Sequence, residues 1–177
     1  MANLAQIEKY LKNKKINHKI SDLGGEVYKV EDVIKVGVNP DEILKTLIVK
    51  SNIKEGLEFK NKYFALVLRG KDRVDFKKVR RLFDPSTSLR QVSVQALRVK
   101  CELAKPEEVK KVAGVPVGAA CPILLDIPIY IDKNVMGLKH VNMGSGDLTR
   151  ELEMDFSDLL DAIREYKVIE LASAVDK

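Results

Sequence analysis

Tryptophan is absent from this 177-residue sequence, cysteine and histidine occur only twice each, and aromatic residues make up 6%. Each shortage removes a class of function. Cys101 and Cys121 form no Cys-x-x-Cys pair, which leaves neither zinc-ligand spacing nor thioredoxin-type chemistry. With His18 and His140 the only imidazoles, neither a metal site nor a cofactor is expected. So few aromatics argue against a base-stacking sheet of the RNA-recognition type. Ten glycines and six prolines among plentiful Val, Ile and Leu exclude collagenous and disordered classes. The longest apolar runs, such as Leu47-Ile48-Val49 and Ile123-Leu124-Leu125, fall far short of the ~20 residues a bilayer span demands, so no membrane segment is expected. The amphipathic start, with Glu8 in it and no apolar signal core, makes a cytoplasmic address the default expectation.

Catalytic signatures are missing as well. There is no Gly-x-Ser-x-Gly elbow, Walker loop, Gly-x-Gly-x-x-Gly opening a helix or His-Glu-x-x-His. Any reaction must therefore lean on lysine, carboxylates, backbone amides or the substrate itself.

What is present describes one ordinary globular domain over residues 1–177, 45% hydrophobic and 32% charged, without repeats or linkers. The balance of 31 basic against 26 acidic groups gives +5, which mildly favours anionic partners such as nucleic acid. Leu4, Ile7 and Leu11 recur at helical spacing, and Val30, Val33 and Ile34 repeat the habit after a short extended piece. Thr46-Leu47-Ile48-Val49 and the apolar run 63–68 read as neighbouring strands on either side of a polar stretch containing Gly56. Phe76, Val79 and Phe83 return to helical spacing behind Asp75. Val99, Cys101 and Leu103 alternate with charged residues as a half-buried strand does, which turns Cys101 inward. Pro106 and Gly114 bracket a short helix by start and stop chemistry. Residues 127–132 and 138–143 read as strands. Residues 148–154 alternate after a Gly144-Ser145-Gly146-Asp147 turn, and Asp155 or Ser157 can cap a last helix carrying Leu159, Leu160 and Ile163. Strand runs that do not alternate strictly with helices predict an α/β domain of the α+β type, with a mixed, largely antiparallel central sheet flanked by helices.

Three stretches are candidates for chemistry. Lys45 stands where a helix-like segment, residues 40–44, passes into a strand, so rigid structure can fix its ammonium to clamp a phosphate or a carbonyl. One more solvated lysine is the bland alternative. Gly118-Ala119-Ala120-Cys121-Pro122 is a bend of small residues that leaves backbone N–H and C=O groups open at close range, or else a plain structural turn. Lys71, Arg73, Lys77, Lys78, Arg80 and Arg81 form a cationic stretch suited to nucleic-acid phosphates, or simply a solvated face. Cys121 has no histidine near it in sequence and reads better as a small loop residue than as a nucleophile.

In order, Glu42-Ile43-Leu44-Lys45-Thr46-Leu47-Ile48-Val49-Lys50, Ala65-Leu66-Val67-Leu68-Arg69-Gly70-Lys71-Asp72-Arg73, Glu107-Glu108-Val109 and Gly118-Ala119-Ala120-Cys121-Pro122 resemble the YbaK/ProX family of aminoacyl-tRNA deacylases. That family is related to the editing insertion domain of bacterial prolyl-tRNA synthetase. Val141-Asn142-Met143-Gly144-Ser145-Gly146 and the final helix extend the likeness over residues 41–160.

The resemblance implies a free-standing editing enzyme that hydrolyses the ester of mischarged tRNA, with tRNA-Pro carrying Ala or Cys the leading substrate. Aminoacyl-tRNA and prolyl-tRNA synthetase are the implied partners. It places the family's lysine on Lys45 as the catalytic residue. Thr46, Gly118, Ala119, Ala120, Cys121, Pro122, His140, Gly144 and Ser145 become substrate-binding positions. Lys71, Arg73, Lys77, Lys78 and Arg81 remain the nucleic-acid contacts. His140 is a packed or surface histidine on its own evidence, and the related insertion domains place a histidine near their pocket in this region. Two other readings compete: a binding module that docks on tRNA or a synthetase without hydrolysis, and a hydrolase of small free esters.

Overall fold

Asn3 opens helix α1 (Leu4–Lys14) by reciprocal capping: its side chain accepts from the Gln6 amide at 3.0 Å, and the Gln6 side chain accepts from the Asn3 amide at 3.2 Å. One turn apart, Ile7 and Leu11 are wholly buried, as their spacing predicts. The computed structural model describes residues 3–52, 62–81 and 99–173. Gly56 and Phe83, and the side chain of Arg81, lie outside the described residues.

The chain continues through β1 (Lys19–Asp22), α2 (Val30–Lys35), β2 (Leu44–Ser51), β3 (Tyr63–Arg69), α3 (Phe76–Arg81), β4 (Cys101–Leu103) and α4 (Pro106–Ala113). Then follow β5 (Ile129–Asp132), a 3-10 turn (Lys133–Gly137), β6 (His140–Gly144), β7 (Arg150–Asp155), α5 (Phe156–Ala162) and β8 (Lys167–Ile169). Five strands lie in the order β4-β2-β3-β5-β8, antiparallel from β4 to β3 and parallel from β3 to β8. A second, antiparallel sheet has the order β1-β7-β6. The strands are mixed and largely antiparallel, as expected, but they divide into two sheets. Among the described residues a single bridge, Ile43 to Asn142, joins them, and the Asn142 amide donates to the Glu42 carbonyl at 2.9 Å. Ile43 precedes β2, and among the described residues β2 and β6 themselves form no ladder.

Strand β3 is buried on both faces, which is why it reads as an unbroken apolar run. Ala65 and Val67 enter the larger core with Leu44, Ile48 and the helices α1, α4 and α5, while Phe64, Leu66 and Leu68 pack with Val49, Val79 and Tyr130. Local stop and start signals work as read. Asp75 accepts from the Lys77 amide at 2.8 Å at the head of α3, and α4 runs from Pro106 to a left-handed Gly114.

Two details differ from the sequence reading. Residues 40–42 form a turn, because the Asn39 side chain accepts from the Asp41 amide at 3.1 Å, and Lys45 consequently lies inside β2. Asp155 occupies the N-cap position of α5, yet its carboxylate turns to His140 Nδ1 at 3.3 Å.

Helix α4 is tied to the sheet by charge. Glu108 accepts from Lys50 Nζ at 2.6 Å, from the Lys105 amide at 3.0 Å and from the Tyr63 hydroxyl at 3.0 Å, and these bonds, Lys50 first, hold its pKa down to about 2. A depressed carboxylate contributes stability that is full above its ordinary pKa of 4.5 and is lost as pH falls toward about 2. Glu108→Gln should therefore flatten the acid side of a plot of melting temperature against pH. An unaltered slope would show that these bonds do not set it.

Candidate functional site

Strand β4 is three residues long and pairs with Val49, Lys50 and Ser51, so among the described residues the first half of β2 has β3 on one side and an open edge on the other. The Ile48 carbonyl points to that side, where it accepts from the Ala104 amide at 2.9 Å. Bonding direction alternates along a strand, which sends the backbone of Thr46 and Leu44 to the same open edge. A cavity of about 350 Å³ occupies the space, a volume suited to a small ligand or one end of a larger one. The open edge of β2 meets the bend at Gly118 and Ala120, the end of β6 at Met143 and Gly144, Glu151 of β7, and residues 27–31 before and into α2.

Lys45 is anchored rather than waving in solvent. Its Nζ donates to the Gly70 carbonyl at 2.9 Å and to the Asp72 carbonyl. An ammonium has three donors, so one remains for a ligand. Burial pushes its pKa down, and Asp72 and then Glu31 push it back up. The turn that grips it is itself locked, because the buried Asp72 carboxylate accepts from Arg69 Nε at 2.8 Å and from Arg69 Nη2 at 3.0 Å.

Glycine shapes the bend at two points. Gly118 has φ +95°, and a Cβ there would lie 3.0 Å from the Tyr28 Cα and carbonyl oxygen. At Gly144 a Cβ would lie 2.6 Å from the Ala120 carbonyl oxygen. The bend is thus clamped between the 27–28 backbone and β6, and the Gly146 amide donates to the Ala119 carbonyl at 2.8 Å. Among the described residues, the amides of Gly118 and Ala120 donate to no backbone carbonyl. Gly118→Val should cost activity by prising Tyr28 from the bend, with a drop in melting temperature to match. A variant with wild-type turnover and melting would show that the bend tolerates the displacement.

Of the residues singled out in the sequence, Lys45, Thr46, Gly118, Ala120 and Gly144 share the cavity wall. The Thr46 Oγ1 is buried with no hydrogen-bond partner among the described residues, a rarity for a polar atom. Ala119, Cys121 and Pro122 are buried off that wall. Burial pushes the Cys121 thiol up to about 12, so it is no nucleophile at neutral pH. Ser145 is buried and donates to the Arg150 carbonyl at 2.8 Å, fastening the turn between β6 and β7. His140 sits away from the cavity lining, beside Asp155 at 3.3 Å and Glu153 at 3.9 Å.

Among the cations, Arg73 and Lys77 are exposed, Lys71 pairs with Asp41 at 2.5 Å, and Lys78 is engaged by Glu170 and the Ala172 carbonyl. Lys71 and Arg73 flank Asp72 and so border the turn that holds Lys45. Cys101 is half-buried, and its thiol is pushed up to about 11. Among the described residues no helix is long and apolar enough to cross a membrane, and no cluster of His, Cys, Asp or Glu could hold a metal ion.

One residue of the wall escaped the sequence reading. Glu151 is 4% exposed, and burial, then Glu153, pushes its carboxyl up to about 7. Alternation with Leu152 and Met154 assigns it to the polar face of β7. Only the tertiary arrangement reveals that the bend covers that face.

A family model described as the aminoacyl-tRNA editing domain matches residues 25–162. Proline–tRNA ligase of Caldicellulosiruptor bescii is 30% identical over 120 residues, 67% of this chain and 17% of the ligase. The Thermotoga maritima proline–tRNA ligase is 32% identical over 119 residues, with the same shares of each chain. This chain therefore corresponds to a small part of those ligases. Two crystal structures match it almost end to end. A hypothetical protein has a TM-score of 0.73 at 24% identity, covering 94% of this chain and 99% of its own. A candidate trans-editing enzyme for prolyl-tRNA synthetase has a TM-score of 0.72 at 19% identity, covering 97% of each.

Proposed function

This chain belongs to the aminoacyl-tRNA editing domain family, and from that premise we propose that it hydrolyses the ester of mischarged aminoacyl-tRNA in trans. The leading substrate is tRNA-Pro carrying a small amino acid such as Ala or Cys, and prolyl-tRNA synthetase is the accompanying partner. The observation that carries the reading is the meeting of Lys45 with the small-residue bend on the wall of one cavity, although more than seventy residues separate them in sequence.

The chemistry follows from what the wall offers. Lys45, with two N–H groups spent on the Gly70 and Asp72 carbonyls, directs its third at an oxygen of the substrate's 3′ end. The amides of Gly118 and Ala120 provide donors for the ester carbonyl as negative charge develops on it. Water attacks that carbon, the ester C–O bond breaks, and the ribose oxygen leaves with a proton, assisted by the neighbouring ribose hydroxyl of the substrate. Positioning and oriented dipoles supply the rate, since among the described residues neither a serine–histidine pair nor a reactive thiol lines the cavity. Exposed Arg73 and Lys77, together with Lys71, offer phosphate contacts outside it, and binding through them weakens as salt rises.

The test is to incubate the full chain with alanyl-, cysteinyl- and seryl-tRNA of several types and follow ester loss. Faster loss than in buffer for a mischarged tRNA-Pro is the expected result. Binding of tRNA without hydrolysis of any ester would instead favour a docking module, and cleavage of minimal esters with no gain from tRNA would favour a small-ester hydrolase.

A further inference from the structure

We propose that Glu151 is the seat for the α-ammonium group of the aminoacyl moiety, an inference that rests on the editing reading and names the feature of the substrate this wall selects. Glu151 lies directly opposite Gly144 in the β6–β7 ladder, and opposed residues project to the same face of a sheet. The face is defined by the glycine, since a Cβ on Gly144 would run into the Ala120 carbonyl. The Glu151 side chain therefore shares its face with the bend, in a corner where carbonyl oxygens are also close at hand. It is buried and on the cavity wall.

The protein compensates it only in part, through the charge of Lys19. Among the described residues, its side chain has no hydrogen bond or ion pair. The cations of its sheet are engaged elsewhere, Lys19 with Glu153 at 2.9 Å and Arg150 with Asp22 at 3.0 Å. Lys45 is held by carbonyls, and Lys29, on the same wall, is exposed and forms no pair with it. A buried carboxyl without a partner is costly, and the cost is recovered when a cation arrives from outside. The raised carboxyl pKa is the same cost expressed as proton affinity. The cavity thus offers an ammonium in one place and a carboxyl in another. An aminoacylated nucleotide matches that pattern, with oxygens at its 3′ end and one cation two bonds from the ester carbonyl.

The experiment uses two stable probes: adenosine bearing alanine in amide linkage at the 3′ position, with the α-amine free, and the same molecule N-acetylated. Dissociation constants are measured by calorimetry for the full-length wild type, Glu151→Gln and Glu151→Asp at neutral pH, where an ordinary α-amine, of pKa about 7.7–8.0, is mostly charged. The wild type should prefer the free amine by at least about 10-fold, the scale of one charge-assisted contact. Glu151→Gln should bring the two probes within about twofold of each other while leaving the N-acetyl affinity unchanged, and Glu151→Asp should keep part of the preference. Melting of Glu151→Gln should not fall below that of the wild type, because an unpaired buried acid is removed.

A wild type that shows no preference, or binds neither probe, overturns the proposal. So does a preference that survives in Glu151→Gln, which with a lowered turnover would make the carboxylate a general base instead, and so does an equal loss for both probes. Should the Gln variant fail to fold, the wild-type preference and its partial loss in the Asp variant decide. If the wild type prefers the amine yet cleaves no aminoacyl-tRNA, the editing reading fails and the ammonium seat stands.

Discussion

Replacing Lys45 by alanine should lower the rate of aminoacyl-tRNA ester cleavage at least about 100-fold, since one oriented donor in a water-poor site is worth roughly 3 kcal/mol of barrier. The size of the effect rests on the anchoring. A lysine free in solvent would have to lose rotamer freedom on each turnover, whereas this ammonium is already held by two carbonyls of a turn that the Arg69–Asp72 pair locks. Stability should change much less. The two carbonyls lose a partner, about 1 kcal/mol in net terms, and in a chain of this size that lowers melting by about 2–4 °C. Single-turnover deacylation and thermal melting on the same preparations separate the two effects. Lys45→Arg should not rescue, because a planar fork cannot occupy the geometry of a point ammonium between the Gly70 and Asp72 carbonyls. Unchanged turnover in Lys45→Ala would remove Lys45 from the mechanism.

Gly144→Ala is the second large effect expected, and it should strike folding and activity together. The added methyl would sit 2.6 Å from the Ala120 carbonyl oxygen and 2.9 Å from the Ala119 carbonyl carbon, both of them backbone atoms that no rotamer change can move aside. Either β6 or the bend must shift, and overpacking of this kind costs about 1–3 kcal/mol. A displacement of the bend by an ångström relative to Lys45 can by itself cost about 100-fold in rate. Melting should fall by about 2–12 °C, with turnover reduced even at temperatures where the variant is fully folded. Wild-type melting would mean that the two segments separate without penalty, and wild-type turnover would mean that the bend does not position substrate.

Most of the elements could be read along the chain because their signals are local. The Leu4, Ile7 and Leu11 spacing, Asp75, and the Pro106–Gly114 pair act close to where they stand, and the apolar run of β3 follows from burial on both faces. Lys45 and the Gly118 bend were legible as unusual residues, and their resemblance to a family pattern suggested that they belong together. Other features had no local signal. Parallel β8 depends on β5 reaching it from far away in sequence, and the division into two sheets depends on Ile43, just before β2, meeting β6 in an isolated bridge.

Residue order by itself thus determined the helices, most of the strands and the small-residue bend. The tertiary structure alone decided that a three-residue β4 leaves, among the described residues, one edge of the first half of β2 open, that the bend fills the far side of that opening, and that Glu151 is enclosed there while His140 is left outside. Periodicity reports which face of an element is apolar. Whether the polar face meets water or another stretch of backbone depends on contacts between residues distant in sequence, and those exist only once the chain has closed on itself.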